Sequence, residues 1–202
     1  MDATADYAQV VRALTATNMP AYVAYALHSA AGFDALHSHE TTAIVVRTKD
    51  GKIVKGTPPK LQIDSGKNYA GDILRHPPFD PTCYRASAAT RATFELQEVE
   101  AIALQPTCQR VKRAAADKRD HTDDADFQTL YVEPATLRPI AVVGGNSEEY
   151  VKAKLDQRFT VVSGYVVPSK FTVKVIGSGP MFWLNVDAGE TLSDIRFSAT
   201  PP

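Results

Sequence analysis

Three histidines in the first quarter of the chain have the residue type and spacing of metal ligands. His37 and His39 belong to the tetrapeptide HSHE, which ends in Glu40, and His28 precedes them. In a strand, residues i and i+2 point to the same face, so His37 and His39 could bind one metal ion together. No third and fourth ligand follows at a recognisable spacing. We therefore interpret these histidines as turn or surface residues, predict no metal site, and keep a metal-dependent hydrolase as an alternative.

The chain contains no recognisable motif for a catalytic nucleophile or for phosphate binding. No GxSxG is present, and Ser163-Gly164 lies in a strand-like run, not at a strand-to-helix elbow. Gly144-Gly145-Asn146 and the GSGP at 177–180 do not open a helix after a strand, so hairpin turns explain them better than a phosphate loop. We expect a protein without catalytic residues and without a cofactor.

Two cysteines, Cys83 and Cys108, offer a choice between free thiols and a disulfide. Neither belongs to a CxxC pair, so a metal or redox motif is unsupported. The alternatives are two buried thiols or one disulfide, and an even cysteine count in an exported protein favours the disulfide. Such a bond would stabilise the fold by about 3 kcal/mol, mostly through the unfolded state.

Composition excludes several classes of partner. The chain has 202 residues, 44% of them apolar and 22% charged, with a net charge of -1. A near-neutral chain has no general attraction for nucleic acid or for an acidic membrane. No apolar run approaches the ~18 residues of a transmembrane helix, and MDATADYAQVVRAL lacks the features of a signal peptide. We expect a mature, exported protein.

The elements that would position any site begin with one helix. Residues 4–16 place Tyr7, Val10 and Leu14 on a single face at helical spacing, and Asn18 and Pro20 then end the helix. From Ala21 onward the apolar residues alternate with a period of two, which is typical of half-buried strands.

Turn residues divide the remainder into strands. Asp50-Gly51 is a strong hairpin signal between two apolar runs. We expect further turns at Pro168-Ser169 and at Asp187-Ala188-Gly189, the latter separating a final strand pair. In the strand-like region 84–104 the apolar parity slips, which indicates a bulge or a turn near Gln97-Glu98.

Two stretches do not follow the strand pattern. Residues 57–82 are rich in Pro, Gly and Asp, and we interpret them as a long loop with a short helix near Tyr69 to Leu74, in other words a binding loop, a lid or a surface excursion. Residues 109–126 are basic and then acidic, which favours a solvated loop, with a docking patch as the alternative.

These elements predict a mainly β fold of the α+β type. About ten antiparallel strands without crossover helices cannot form βαβ units, so a sandwich, a closed barrel or one curved sheet remains. Because each strand has one wet and one dry face, we favour a large curved antiparallel sheet, an incomplete barrel, with an N-terminal helix and a helical or loop lid.

Several stretches resemble the LolA/LolB-like fold family of outer-membrane lipoprotein-sorting proteins. The first runs from Leu130 to Pro134 and continues through a turn at Thr136–Pro139 into the valine-rich strand Ile140–Val143. The second is GYVVPSKFTV, residues 164–173. The N-terminal helix followed by a tyrosine-rich strand also agrees. The resemblance implies a single domain over residues 1–202, with 57–82 and 109–126 as long loops or insertions.

The same resemblance implies a function. Proteins of this fold have an apolar concave face under a lid, and acyl chains bind inside. We therefore expect a non-enzymatic binding protein of the cell envelope whose ligand is a lipid or an acylated protein. The alternatives are a sensor or interaction module that binds a protein partner through 57–82 or 109–126, and a packed core without space for a ligand. The candidate cavity residues, at inward parities, are Phe94, Leu96, Tyr165, Phe171, Val173, Phe182 and Leu184.

Overall fold

In the part of the chain that the structure describes, ten antiparallel strands form one open sheet beside an N-terminal helix. The computed structural model describes residues 2–15, 18–32, 38–57, 73–74, 78–108, 126–147, 151–179 and 182–202. The elements are α1 (Ala3–Leu14), β1 (Tyr22–Gly32), β2 (Ser38–Thr48), β3 (Ile53–Lys55), a 3₁₀ helix (Pro81–Cys83), β4 (Tyr84–Phe94), β5 (Gln97–Pro106), β6 (Asp126–Val132), β7 (Pro139–Ser147), β8 (Val151–Val162), β9 (Tyr165–Gly179) and β10 (Phe182–Ser198).

The sheet is an open meander, because its two edge strands do not pair with each other. Its strand order is β3-β2-β1-β10-β9-β8-β7-β6-β5-β4, so β4 to β10 follow one another and β1 joins the far side of β10. Strands β3 and β4 are the two edges. The predicted mainly β fold with an N-terminal helix and an open, incomplete barrel is confirmed.

Helix α1 begins where a side chain satisfies its first free backbone donors. Asp2 Oδ1 accepts hydrogen bonds from the backbone N–H groups of Thr4 and Ala5, at 3.1 and 3.2 Å. The apolar stripe predicted from helical spacing faces the sheet, because Tyr7 and Val10 are buried. The helix therefore covers part of one sheet face.

One face of the sheet carries almost the whole core. Leu130 and Val132 of β6 are fully buried in a cluster that includes Tyr7 and Val10 of α1. Tyr25 and Leu27 of β1 lie in a second cluster towards the other edge. We call the face that carries these clusters the concave face and the opposite one the convex face.

The predicted hairpin at Asp50-Gly51 is confirmed, and Gly51 has a φ of 87°. Two other predicted turns are wrong. The turn between β8 and β9 lies at Ser163-Gly164, with φ of 52° and 84°, whereas Pro168 lies inside β9. The sheet tolerates this proline because the β8–β9 register shifts there, between Arg158 and Phe159.

The predicted turn at Asp187-Ala188-Gly189 is also wrong, since β10 runs without interruption from Phe182 to Ser198. Gly189 pairs with Thr172, and a Cβ atom on it would lie 2.8 Å from the backbone oxygen of Phe171. The glycine thus permits a close approach of two strands and not a reversal of the chain.

The apolar parity slips in residues 84–104 because the chain turns there, which was one of the two predicted causes. The turn lies two residues before the predicted position at Gln97-Glu98. Glu95 and Leu96 have φ of 48° and 68° and join β4 to β5. Both central residues of this turn have positive φ without a glycine, so no turn residue marked its position.

The disulfide between Cys83 and Cys108 is present, as expected. It joins the residue before β4 to the chain just after β5, where Tyr84 pairs with Pro106. The backbone N–H of Thr107 also donates to the carbonyl oxygen of Cys83 at 2.8 Å. The bond therefore holds the open end of the β4–β5 hairpin at the sheet edge.

Candidate functional site

The first buried cluster lies where α1 and Phe79 cover strands β5 to β7. Phe79 is 1% exposed and contacts three aromatic rings, with centroid distances of 5.2 Å to Tyr84, 5.3 Å to Phe127 and 6.5 Å to Phe159. Its members come from α1, the chain before β4 and three strands, namely Tyr7, Val10, Phe79, Ile102, Leu104, Phe127, Leu130, Val132 and Val142. A single aromatic side chain from outside the sheet thus occupies the middle of this cluster.

The second buried cluster lies over strands β1, β2 and β10. It consists of Val23, Tyr25, Leu27, Val45, Ile73 and Leu192. Ile73 is the member that does not belong to the sheet, and it is 3% exposed. A residue from the long predicted loop therefore also covers this side of the concave face.

Polar side chains of the sheet hold the backbone of both covering residues, Ile73 and Phe79. We call the described residues 73–74 and 78–79 the covering segment. The backbone N–H of Ile73 donates to Glu190 Oε2 at 3.0 Å, and the backbone N–H of Phe79 donates to Gln157 Oε1 at 3.1 Å. These bonds satisfy backbone donors that would otherwise be buried without partners. Two described parts of the predicted long loop 57–82 thus contact the concave face. Residues 58–72 and 75–77, with most of the short helix predicted near Tyr69 to Leu74, lie outside the described residues.

Between the two clusters, β8 and β9 carry apolar side chains that are only half-buried. Leu155 pairs with Val173, and Phe159 lies further along β8. Phe171 packs against both clusters. We call Leu155, Phe159, Phe171 and Val173 the central strip. It is less buried than the two clusters beside it, and it is our candidate ligand site.

One polar side chain lies inside the central strip. Gln157 pairs with Phe171 and has 0% exposure. Its Oε1 accepts from Phe79, but its Nε2 has no hydrogen-bond partner in the part of the chain that the structure describes. A buried amide with one unused end is costly, because a lost hydrogen bond to water is not replaced.

The electrostatics of the α1 contact are governed by burial. Tyr7 Oη donates to the carbonyl oxygen of Pro81 at 2.7 Å, and burial, together with Tyr84 and Asp80, raises the pKa of Tyr7. Burial also raises the pKa of Glu100, and the nearby carboxyl group of Asp6 in α1 raises it further. Asp6 of the helix and Glu100 of the sheet are therefore neighbouring acids, and their proximity disfavours the charged form of Glu100.

The predicted cavity residues divide into four groups, of which the first lies at the site. Phe171 and Val173 belong to the central strip. Tyr165 lies at the margin of the second cluster, where its ring is 5.2 Å from that of Phe197 and its hydroxyl donates to the carbonyl oxygen of Asn18 at 3.0 Å. Phe182 and Leu184 form the start of β10, and only their backbone is described, so their role stays a prediction.

The prediction that Phe94 and Leu96 line the concave face is wrong. Leu96 is 98% exposed in the β4–β5 turn. Phe94 stacks on Tyr131 at 4.1 Å, and Tyr131 lies between Leu130 and Val132, so strand alternation places it on the convex face. Arg158 lies over the Phe94 ring at 4.7 Å and pairs with Asp156 and Glu95.

The histidine hypothesis finds no support in the described chain. His28 Nδ1 lies 3.0 Å from Thr42 Oγ1. His37 lies outside the described residues, and of His39 only the backbone is described. Among the residues that the structure describes, no group of three metal-ligating side chains occurs.

Sequence patterns missed the residues that organise the site. Phe79 follows Pro77-Pro78 in a stretch without periodicity, and Gln157 and Glu190 occupy ordinary polar positions in strands. A weak signal was present for Gln157, because it has the same parity as Leu155 and Phe159 on the dry face of β8. A polar residue at an apolar parity is the pattern that could have identified it.

Fold and site together define a class of protein: an open antiparallel half-barrel with an apolar, covered concave face. No protein-family model and no curated protein sequence matches the chain. Solved structures with a similar fold include a DUF1329 family protein from Desulfovibrio piger, with 10% identity, 100% of this chain and 96% of that chain covered and a TM-score of 0.50.

Two further solved structures match over nearly the full length. A LolA superfamily protein from Nitrosomonas europaea has 8% identity, coverage of 100% of this chain and 96% of that chain, and a TM-score of 0.44. A domain assigned to outer membrane lipoprotein sorting, from Vibrio parahaemolyticus, has 11% identity, coverage of 98% and 93%, and a TM-score of 0.48. The predicted resemblance to the LolA/LolB-like fold is confirmed. At these identities the likeness concerns the fold alone.

None of the described helices is long and apolar enough to cross a membrane.

Proposed function

We propose that this protein is a non-enzymatic binding protein of the cell envelope that holds an apolar ligand, a lipid or the acyl chains of a lipoprotein, on its concave face. The observation that carries the proposal is the central strip, a half-buried apolar surface between two buried clusters. The disulfide agrees with an extracytoplasmic location, because such bonds persist in oxidising compartments.

The nature of the cover supports reversible binding. Among the described residues, the concave face is covered by one helix and the covering segment and not by a second sheet. Ile73 and Phe79 fill the clusters on either side of the strip in the form described. A ligand would therefore extend from the strip into the space that the covering segment occupies. The apolar contacts of the ligand would replace those that the covering segment makes. Each buried CH₂ of an acyl chain contributes about 0.8 kcal/mol.

Binding of a neutral fluorescent apolar probe tests this proposal. Val173→Glu places a charge in the central strip, whereas Ile176→Glu places the same charge on the same strand at a convex position that is 45% exposed. We expect Val173→Glu to weaken binding of N-phenyl-1-naphthylamine at least tenfold and Ile176→Glu to leave it unchanged, with both variants checked for folding by circular dichroism.

Native mass spectrometry of gently purified protein supplies a second readout. We expect a co-purified apolar mass that Val173→Glu loses. A protein that is free of such a mass and does not bind the probe at any concentration would exclude an apolar-ligand function.

A second candidate function, binding of a protein partner, is favoured by the edge strand β4 and not by the predicted loops, which lie mostly outside the described residues. A groove of about 750 Å³ is lined by residues of both α1 and β4. Ala86 and Ser87 of β4 line the groove. If β4 of a second copy paired with this edge, its own alanine and serine side chains would be too small to fill the groove. Strand β4 also carries Arg85 and Arg91 without an acidic residue. The occupant would be an extended partner segment with large apolar side chains at alternate positions and an acidic residue.

Selection of phage-displayed random 12-residue peptides on the intact protein tests this candidate. Enriched peptides should alternate large apolar residues and should not bind Ala8→Trp, because Ala8 lines the groove. Ala5→Trp, on the same helix but outside the groove lining, is the matched control. Enriched peptides that bind Ala8→Trp as well as the wild-type protein would exclude the groove as their binding site. Self-association that is lost in Ala8→Trp would instead identify a second copy as the occupant.

A further inference from the structure

A row of polar side chains crosses the apolar concave face. Ser29 pairs with Glu190, Glu190 with Phe171, and Phe171 with Gln157. Residues directly opposite each other on neighbouring antiparallel strands share a face. The three polar members are 0 to 5% exposed, so they are as deeply buried as the apolar clusters on either side.

The amide of Gln157 is half used. Its orientation follows from the bond to Phe79, because a backbone N–H must meet the amide oxygen and not the amide nitrogen. Nε2 then has two donor hydrogens and, within the described chain, no acceptor. Such a donor is destabilising for the form described here, and an incoming acceptor would relieve that cost.

A trapped water does not fit this position well. The neighbours of Gln157 on the same face are Leu155 and Phe159 along β8, Phe171 across on β9 and Val142 across on β7. All four are apolar. A buried water needs two to four polar partners to be held, and these side chains supply none.

We propose that Gln157 Nε2 is the polar anchor of the ligand site and donates to a carbonyl oxygen, the ester or amide linkage of an acyl chain that lies on the central strip. This inference rests on the proposed function and adds the side chain that recognises the carbonyl group next to the acyl chain. A neutral carbonyl fits better than an anionic head group. Glu190 lies two strands away in the same row, about 10 Å at the usual strand spacing. Its carboxyl group would disfavour an anionic head group bound at Gln157.

Two lipids that differ only in this carbonyl test the proposal. 1-Monopalmitoylglycerol carries an ester, and 1-O-hexadecylglycerol has the same head group and chain length with an ether. Each displaces N-phenyl-1-naphthylamine from the intact protein in a competition titration. We expect the ester to bind about tenfold more tightly, which is the effect of one net hydrogen bond to a buried donor.

Variants of Gln157 assign the preference to that side chain. Gln157→Met removes the donor, and its loss of the bond to Phe79 affects both lipids equally, so the ester-to-ether ratio is expected to fall to about one. Gln157→Leu removes the donor with a second apolar side chain and is expected to remove the preference as well, so the result does not depend on how one substitute packs. Gln128→Met, at an exposed glutamine of β6, is the control with an unchanged ratio.

The outcomes separate the two claims. Equal displacement by ester and ether in the wild-type protein, or a preference that survives both Gln157 variants, overturns the carbonyl anchor and leaves the apolar site standing. Failure of both lipids and of the probe to bind overturns the proposed function and the anchor together.

Discussion

Phe79→Ala tests whether the covering segment and an apolar ligand compete for the concave face. Phe79 is 1% exposed and packs against Tyr84, Phe127 and Phe159. Truncation of a buried phenylalanine to alanine costs about 3–5 kcal/mol of unfolding free energy. If the covering segment must leave when a ligand enters, a similar free energy opposes binding in the wild-type protein.

The competition makes the two effects opposite in sign. Loss of about 3 kcal/mol of docking free energy would raise the ligand affinity up to about 100-fold, because each 1.4 kcal/mol is a factor of ten. Urea denaturation measures the free energy of unfolding, and titration with N-phenyl-1-naphthylamine measures the dissociation constant. We expect Phe79→Ala to be less stable and to bind the probe more tightly.

Phe127→Ala is the matched control. Phe127 is 3% exposed in the same cluster, with its ring 5.3 Å from that of Phe79, but it belongs to β6 and remains in place when the cover moves. It should lose comparable stability without a gain in affinity. An unchanged or weaker affinity in Phe79→Ala, parallel to that of Phe127→Ala, would refute the idea that Phe79 occupies ligand space.

Three further predictions concern the scaffold. Cys83→Ala opens a disulfide with a sequence separation of 25 residues, for which the chain-entropy relation predicts a loss of about 3.5 kcal/mol in urea denaturation under oxidising conditions; an unchanged midpoint would show that the hairpin holds its own ends. Burial and Asp6 raise the pKa of Glu100, so its stabilising contribution is present while it is protonated and is lost as the pH rises through that raised pKa. Glu100→Gln should therefore be more stable than the wild-type protein near pH 7, with the difference shrinking in acid, and a difference that does not depend on pH would contradict the assignment. Leu96 has a φ of 68° and is 98% exposed, so Leu96→Gly should raise the thermal midpoint by relieving about 1 kcal/mol of backbone strain; a lowered midpoint would contradict this account of the turn.

Local patterns were sufficient for the elements of this fold and for one covalent bond. The spacing of Tyr7, Val10 and Leu14 predicted α1, because a helical stripe is visible within a dozen residues. Asp50-Gly51 predicted the first hairpin, because glycine adopts positive φ without a steric cost. The cysteine count favoured the disulfide. The resemblance to the LolA/LolB-like fold then implied an apolar concave face.

The same patterns failed where a neighbouring strand decided the conformation. Gly189 looked like a turn residue, but its role is to let the backbone of Phe171 approach. Leu96 had the parity of a core residue, but a turn with positive φ removed it from the strand. Phe94 lies on the convex face for a different reason, because the register shift between Ala86 and Ala88 reverses the face of the residues that follow in β4.

The sequence by itself determined that the chain forms two-faced antiparallel strands with one helix, because alternation and helical spacing are local properties. Only the tertiary structure decided which residues cover the apolar face and which polar group is buried in it. Phe79 and Gln157 lie 78 positions apart in the chain, and nothing in the surroundings of either one specifies the other. The candidate site exists because the curled sheet and the covering segment bring them together.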